Sequence, residues 1–136
     1  MSLNSTSRHI AAELTRLGFK QSQGNFLLSA VNGYCVVGIS TNSRQQRLTI
    51  DVAAHPKLQE SFFTLQRVDN DALPPAHCLL YSRIGYFLDA AADEWFDYGP
   101  HTRYDFKRIC EKAFAVTNST LSLLCNVSNM LDMCSP

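Results

Sequence analysis

The sequence lacks the features that define several large classes of protein. No apolar run approaches the roughly 18 residues that a membrane-spanning helix needs, and the polar first residues lack the apolar core of a secretory signal. The formal net charge is zero, from 12 basic and 12 acidic residues. Without surplus positive charge, the chain has no general attraction to nucleic acid or to an anionic membrane. We therefore predict a protein that binds neither.

The cysteines do not form the pairs that hold zinc or build a disulfide framework. They are five in number, widely spaced, and none stands in a C-x-x-C pair. Most lie within or beside apolar runs, where a thiol behaves as a small buried hydrophobe. They are Cys35, Cys78, Cys110, Cys125 and Cys134. This pattern predicts a reducing, cytoplasmic setting.

Recognised catalytic and cofactor motifs are also missing from the sequence. It contains no glycine-rich phosphate loop and no G-x-S-x-G nucleophile elbow. The four histidines, at positions 9, 55, 77 and 101, do not have the spacing that sets two imidazoles on one metal ion. We predict no cofactor and no metal, and the sequence favours a non-enzymatic function.

The composition is that of an ordinary globular protein. With 136 residues, of which 46 % are hydrophobic and 18 % charged, the chain is long enough for one substantial core. We predict a single domain over residues 1–136.

Periodicity predicts a helix, a series of strands and further helix. Apolar spacing indicates a helix at 8–17, ended by Gly18. Strands are predicted at 19–23 and 26–30 around a Gly24-Asn25 turn, and at 34–41, 47–55 and 78–88. A helical stripe begins at Phe106, and the polar residues 117–120 indicate a second helix or a kinked continuation after them.

This order favours an α+β fold. Consecutive strands pair most simply as antiparallel neighbours, so we predict one mainly antiparallel curved sheet of four to six strands. The N-terminal helix and a C-terminal helical pair are predicted to pack on it. Alternation along 47–55 predicts one face in the core and the other in water.

Several short motifs resemble a known family. Leu17-Gly18-Phe19-Lys20 after a helix, then Gly24-Asn25-Phe26, strands, a loop with Trp95 and a helical C-terminus are similar to the bacterial family catalogued as domain of unknown function 4304. The resemblance covers nearly the whole chain. It implies an α+β domain of uncharacterised activity, and its motifs mark a helix end and a turn rather than any chemistry.

Aromatic and acidic residues crowd into one segment. Eight of the fourteen aromatic residues lie between Tyr81 and Phe106, and residues 58–100 carry seven acidic and two basic side chains. Rings with carboxylates beside them suit the recognition of a basic protein surface, for example by an immunity-type protein that neutralises a basic toxin. The predicted contact residues are Arg83, Tyr86, Asp97, Tyr98, His101, Arg103 and Tyr104. The plainer interpretation is a solvated acidic face, with Trp95 in the core.

A second hypothesis uses the polar face of the sheet. If Arg47, Asp51, His55 and Arg83 lie on neighbouring strands, they could form a hydrolase or transferase site. Ordinary solvated polar residues on a strand explain the same pattern, with Arg83 at an edge or extending its guanidinium to water.

Overall fold

The computed structural model of the chain describes residues 3–30, 33–56, 74–98 and 104–134. Within them, one helix precedes six strands, and a long helix ends the order. The helices are α1 (Leu3–Arg16) and α2 (Phe106–Cys134), and the strands are β1 (Lys20–Ser22), β2 (Asn25–Ser29), β3 (Gly33–Asn42), β4 (Arg47–Pro56), β5 (Leu80–Arg83) and β6 (Phe96–Asp97). Two short 3-10 helices, η1 (Pro75–His77) and η2 (Ile84–Phe87), lie on either side of β5. The predicted α+β class with an antiparallel sheet is confirmed.

The end of α1 follows the sequence prediction. Gly18 has a φ of +104°, in the left-handed region that glycine adopts at low cost. The N–H of Phe19 donates to the carbonyl of Leu14, and that of Gly18 donates to Thr15. This pair of hydrogen bonds is a Schellman motif, which satisfies the last carbonyls of the helix and turns the chain into β1.

The first hairpin forms, but its turn lies one residue earlier than predicted. Ser22 pairs with Asn25, so the loop residues are Gln23 and Gly24. Both have positive φ, +50° and +84°. A two-residue loop with positive φ at both positions matches the right-handed twist of the strands, so Asn25 belongs to β2.

The centre of the sheet is the long hairpin of β3 and β4. The two strands pair from Asn42 with Arg47 to Gly33 with Pro56. β2 pairs with the other side of β3, so β3 lies inside the sheet. β5 and β6 follow one another along the far side of β4.

One face of the sheet forms the main core with both helices. Alternate residues of β4 face this core, as predicted, and they meet apolar residues from both helices. The cluster includes Leu48, Ile50, Val52 and Ala54 of β4, Ile10 and Leu14 of α1, and Phe106, Cys110 and Ala113 of α2. The pattern in 47–55 therefore identified the inner face correctly.

On the opposite face of β4, Arg47 is exposed as predicted, but the positions from 49 to 55 are not in water, contrary to the prediction. Thr49, Asp51, Ala53 and His55 are all buried. Two other parts of the chain contact this face: Pro75 lies against Gly38, and the hydroxyl of Thr49 donates to the carbonyl of Glu94 at 2.8 Å. Alternating polar residues here satisfy hydrogen bonds inside the protein instead of facing solvent.

The predicted strand at 78–88 is shorter in the structure. Pairing with β4 runs only from Leu80 to Arg83. The chain then tightens into η2, with Ile84 and Gly85 buried. Residues 89–98 form no helix; instead Phe96 and Asp97 pair with the start of β4 as β6.

The predicted C-terminal helical pair is wrong: α2 is one continuous helix of 29 residues. It begins after Asp105, whose Oδ1 accepts the N–H of Arg108 at 3.2 Å, as an N-cap does. The polar residues 117–120 do not interrupt it, because Thr117 donates its hydroxyl to the carbonyls of Ala113 and Phe114. Its polar group is thereby satisfied within the helix.

Neither α1 nor α2, as far as the structure describes them, is long and apolar enough to cross a membrane.

Candidate partner-binding surface

Exposed apolar side chains concentrate on β5 and η2. Leu80 is 46 % exposed and Tyr86 is 53 % exposed, with Tyr81 and Phe87 also above two-fifths. We call these four residues the edge patch. Among the residues whose side chains the structure describes, which end at position 124, the one other large hydrophobic exposed to this degree is Leu123 of α2. Exposed apolar residues that gather in one place commonly mark a binding surface.

A groove runs between the edge patch and α2. It encloses about 260 Å³ between Leu80 and Phe87 on one side and Val116 and Thr120 on the other. Val116, Thr120 and Leu123 stand four and then three residues apart, so they share one side of the helix. The groove can therefore take apolar side chains along the edge of the sheet.

The outer face of β5 carries a charged network. The buried carboxylate of Asp51 accepts hydrogen bonds from the hydroxyls of Ser40 and Tyr81. Arg83, directly opposite Asp51 in the ladder, brings its Nε within 3.7 Å of that carboxylate. Partial desolvation of the Tyr81 hydroxyl and then the charge of Asp51 raise the pKa of Tyr81, so its hydroxyl remains a donor.

Arg83 has a second carboxylate and an aromatic ring. Its Nη1 lies 2.7 Å from Oδ2 of Asp93, and its guanidinium carbon lies 5.1 Å from the centre of the Trp95 ring. Two carboxylates therefore share one guanidinium, and the network of Asp51, Asp93 and Arg83 has a net charge of −1. Arg83 is not a free anion site, because Asp93 and Asp51 already hold it.

The loop that follows η2 is acidic. We call residues 88–97 the acidic loop; it contains Asp89, Asp93, Glu94 and Asp97. Asp97 pairs with Arg47 at 3.1 Å, but both side chains are about half exposed, so water screens the pair. A cleft of about 370 Å³ lies between this loop and the start of α2, with Asp89 and Glu94 on one wall and Arg108 on the other. The carboxylates here remain accessible to a partner.

The predicted contact residues divide into four groups. Tyr86 belongs to the edge patch, Arg83 lies on the same strand as Leu80 and Tyr81, and Asp97 is exposed on β6. Tyr104 is half-buried, with its ring 4.9 Å from that of Phe96 in an edge-on contact. His101 and Arg103 lie outside the described residues.

Tyr98, also predicted as a contact residue, belongs to the main core. Its side chain is 6 % exposed, and its N–H donates to the carbonyl of Gln46. Continuation of the chain beyond β6 directs this ring inward, so it is not available at the surface.

The four residues of the predicted enzyme site do not come together, although two of them, Asp51 and Arg83, are in contact. Arg83 lies opposite Asp51, whereas Arg47 and His55 each stand four residues away along β4, a distance of roughly 13 Å in an extended strand. His55 is 4 % exposed, and its Nδ1 accepts the N–H of Leu79 at 3.2 Å. The polar face therefore supplies an internal network rather than a cavity with these four side chains around it.

The described residues hold no group of three or more histidine, cysteine or acidic side chains suited to a metal ion. Burial raises the pKa of the Cys78 thiol to about 12, and that of Cys110 to about 12. Neither thiol is a nucleophile at neutral pH, because the thiolate is the reactive form.

Sequence reasoning missed half of this surface. Leu80 and Tyr81 stand in the predicted strand at 78–88, and Val116 and Leu123 stand in the predicted helical region after Phe106. Neither prediction indicates that these side chains contribute to a surface. Periodicity does not separate the second pair from the core, because Val116 stands three residues after Ala113 of the inner stripe.

The fold and surface define an α+β protein with an exposed apolar sheet edge beside an acidic loop. No protein-family model, curated protein or solved structure matches the chain. The resemblance to domain of unknown function 4304 stays a prediction.

Proposed function

We propose that the protein is a non-enzymatic binding domain that holds a protein partner with a basic surface at the edge patch and acidic loop. The observation that supports this proposal most directly is the concentration of exposed large apolar side chains at Leu80, Tyr81, Tyr86 and Phe87. Tyrosine and phenylalanine carry much contact area with few rotatable bonds, and tyrosine is enriched among the residues that dominate binding energy.

Charge indicates the kind of partner. Residues 74–98 contain four acidic side chains and one arginine, and that arginine is held by Asp51 and Asp93. An apolar centre with an acidic rim is complementary to a surface that presents lysine or arginine around apolar anchors. An immunity-type protein that neutralises a basic toxin fits this description.

We also propose a bacterial source, on the resemblance described above, and a cytoplasmic setting. The three cysteines Cys35, Cys78 and Cys110 are free thiols, which agrees with a reducing compartment.

Site-specific photo-cross-linking tests the proposed function. A photoreactive benzoylphenylalanine is placed at position 86 in the edge patch and, as a control, at exposed position 21 on the opposite edge of the sheet. In the organism that makes the protein, we expect position 86 to cross-link a specific protein through a basic segment and position 21 not to do so. The cross-link should be lost in a Phe87→Ala variant and weakened by added salt. Equal cross-linking from both positions, or none from position 86, would contradict the proposal.

A further inference from the structure

The two ends of the sheet differ in how they are protected. β1, at one end, is three residues long, is polar, and carries the exposed Lys20. Short length and an exposed lysine are features that discourage pairing with another chain. β5, at the other end, has the exposed side chains of Leu80 and Tyr81 and no lysine. No strand of the described residues pairs with its outer side.

An open strand edge has backbone groups to offer. Alternate residues of β5 direct their N–H and C=O toward β4, and the others direct them away from it. A row of outward backbone groups is a template for an extended segment from another molecule. Affinity in that mode comes from main-chain hydrogen bonds, and specificity comes from pockets for alternate side chains.

The two faces beside this edge have different chemistry. On the face toward α2, the groove between Leu80, Phe87 and Val116 is apolar. On the outer face, the ring of Tyr81 stands beside the network of Asp51, Asp93 and Arg83 with its net charge of −1. Side chains of an added strand would alternate between these two faces.

We propose that the partner contributes an extended segment that adds to β5 as a further strand of the sheet. The segment places apolar side chains in the groove beside α2 and lysine or arginine side chains on the outer face near Asp93 and the acidic loop. This inference rests on the proposed function and specifies its mode of binding.

Charge separates this partner from a second copy of the chain. A second copy would offer β5 itself, whose one basic residue, Arg83, is already held by Asp51 and Asp93, whereas a basic strand brings free cations to the acidic side. A partner helix would leave the outward N–H and C=O groups of β5 without hydrogen bonds, which is costly when water is excluded.

The test uses synthetic peptides of defined pattern. The probe is a fluorescently labelled, capped hexapeptide that alternates valine and lysine. Three controls accompany it: one with the same residues in two blocks, one that alternates valine and glutamate, and one with the probe sequence but N-methylated at alternate amides. We expect the probe to bind the full chain about tenfold or more tighter than each control, since each control removes pattern, charge or hydrogen bonds.

Variants of the protein locate the binding site. Leu80→Lys places a positive charge on the edge and should weaken the probe about tenfold. Asp93→Asn should weaken it several-fold and reduce its salt dependence, because it removes the more exposed carboxylate of the outer-face network. Gln21→Lys makes the same type of change on the protected edge and should leave binding unchanged. Amide hydrogen exchange should slow at β5 in the complex.

The outcomes distinguish this inference from the proposed function. Equal binding of the N-methylated or block peptide, or no binding of any peptide while position 86 still cross-links a protein, would overturn strand addition and leave a binding domain. Sedimentation that reveals a dimer dissolved by Leu80→Lys would also overturn it. Absence of a specific cross-link from position 86 in the chain that is otherwise unchanged would overturn the proposed function.

Discussion

His55 illustrates how a polar residue can be a structural part of the sheet. It is buried, and its Nδ1 accepts the N–H of Leu79, which requires the neutral imidazole with its proton on Nε2. Burial lowers the pKa of His55 below its ordinary value of 6.5, and the accepted hydrogen bond favours the same neutral form. The residue joins β4 to the chain just before β5.

This burial predicts a pH dependence of stability. Because the pKa of His55 is depressed in the folded chain, its imidazole takes up a proton at higher pH in the unfolded chain than in the folded chain. The contribution of His55 to the free energy of unfolding should therefore be complete above the unfolded pKa of 6.5 and be lost as the pH falls from there through the folded pKa. The slope from this one group is at most about 1.4 kcal/mol per pH unit. Urea unfolding between pH 8 and about 5 measures it.

Two variants make this measurement specific. In His55→Gln, the amide oxygen can still accept from Leu79 but cannot titrate, so the decrease should be smaller than in the original chain. In His77→Gln, the same change at an exposed position of η1 should leave the decrease intact. An identical pH profile for the original chain and His55→Gln would contradict the assignment.

At the scale of elements, local pattern identified the helix end at Gly18, the strands β3 and β4, and the inner face of the sheet. It could not show that the outer face is buried. That burial depends on residues far along the chain, since the partner of Thr49 is the carbonyl of Glu94. Tertiary contacts of this range leave no periodic signal in the strand itself.

The same limit applies to the candidate surface. The crowding of aromatic residues identified the segment, but not which rings face solvent. Tyr86 is exposed and Tyr98 buried, because η2 and β6 each set the direction of the residues around them. Leu80 was missed because an apolar residue on an edge strand has the same local sequence pattern as one on a central strand.

The continuity of α2 predicts the effect of a double substitution. Asn118 and Ser119 are exposed in mid-helix, where alanine has the higher helix propensity. Asn118→Ala combined with Ser119→Ala should therefore raise the free energy of unfolding by about 1 kcal/mol in urea unfolding followed by circular dichroism.

The chain offers a matched control with the same pair of residues. Asn42 and Ser43 stand at the turn between β3 and β4, where Oδ1 of Asn42 accepts the N–H of Gln45. Asn42→Ala with Ser43→Ala should lower stability, because the turn loses that hydrogen bond. Loss of stability in the helix variant as well would indicate that 117–120 interrupts α2.

At the scale of the whole molecule, charge neutrality and an apolar edge act together. The formal net charge is zero and the sequence pI is about 6.9. Repulsion between molecules is weakest near that pH, so attraction between edge patches has most effect there. Leu80 and Tyr81 are therefore expected to govern behaviour at high concentration.

A comparison of two lysine substitutions measures this contribution. Leu80→Lys and Gln21→Lys each add one positive charge, but only the first removes an exposed apolar side chain from the edge patch. Light scattering near pH 7 should show weaker self-attraction for both variants, and clearly more so for Leu80→Lys. Equal effects would mean that the charge alone matters and the patch does not.

The contact between Gly38 and Pro75 has a consequence for how this architecture can vary. A methyl group at position 38 would lie 2.9 Å from Cγ of Pro75, closer than side chains tolerate. Any larger residue there should displace η1 from β3 and expose the buried side chains of Asp51 and His55 to solvent. Burial of the polar face of the sheet thus depends on the absence of a side chain at position 38. Relatives of the chain should retain glycine there wherever they retain the proline that covers it.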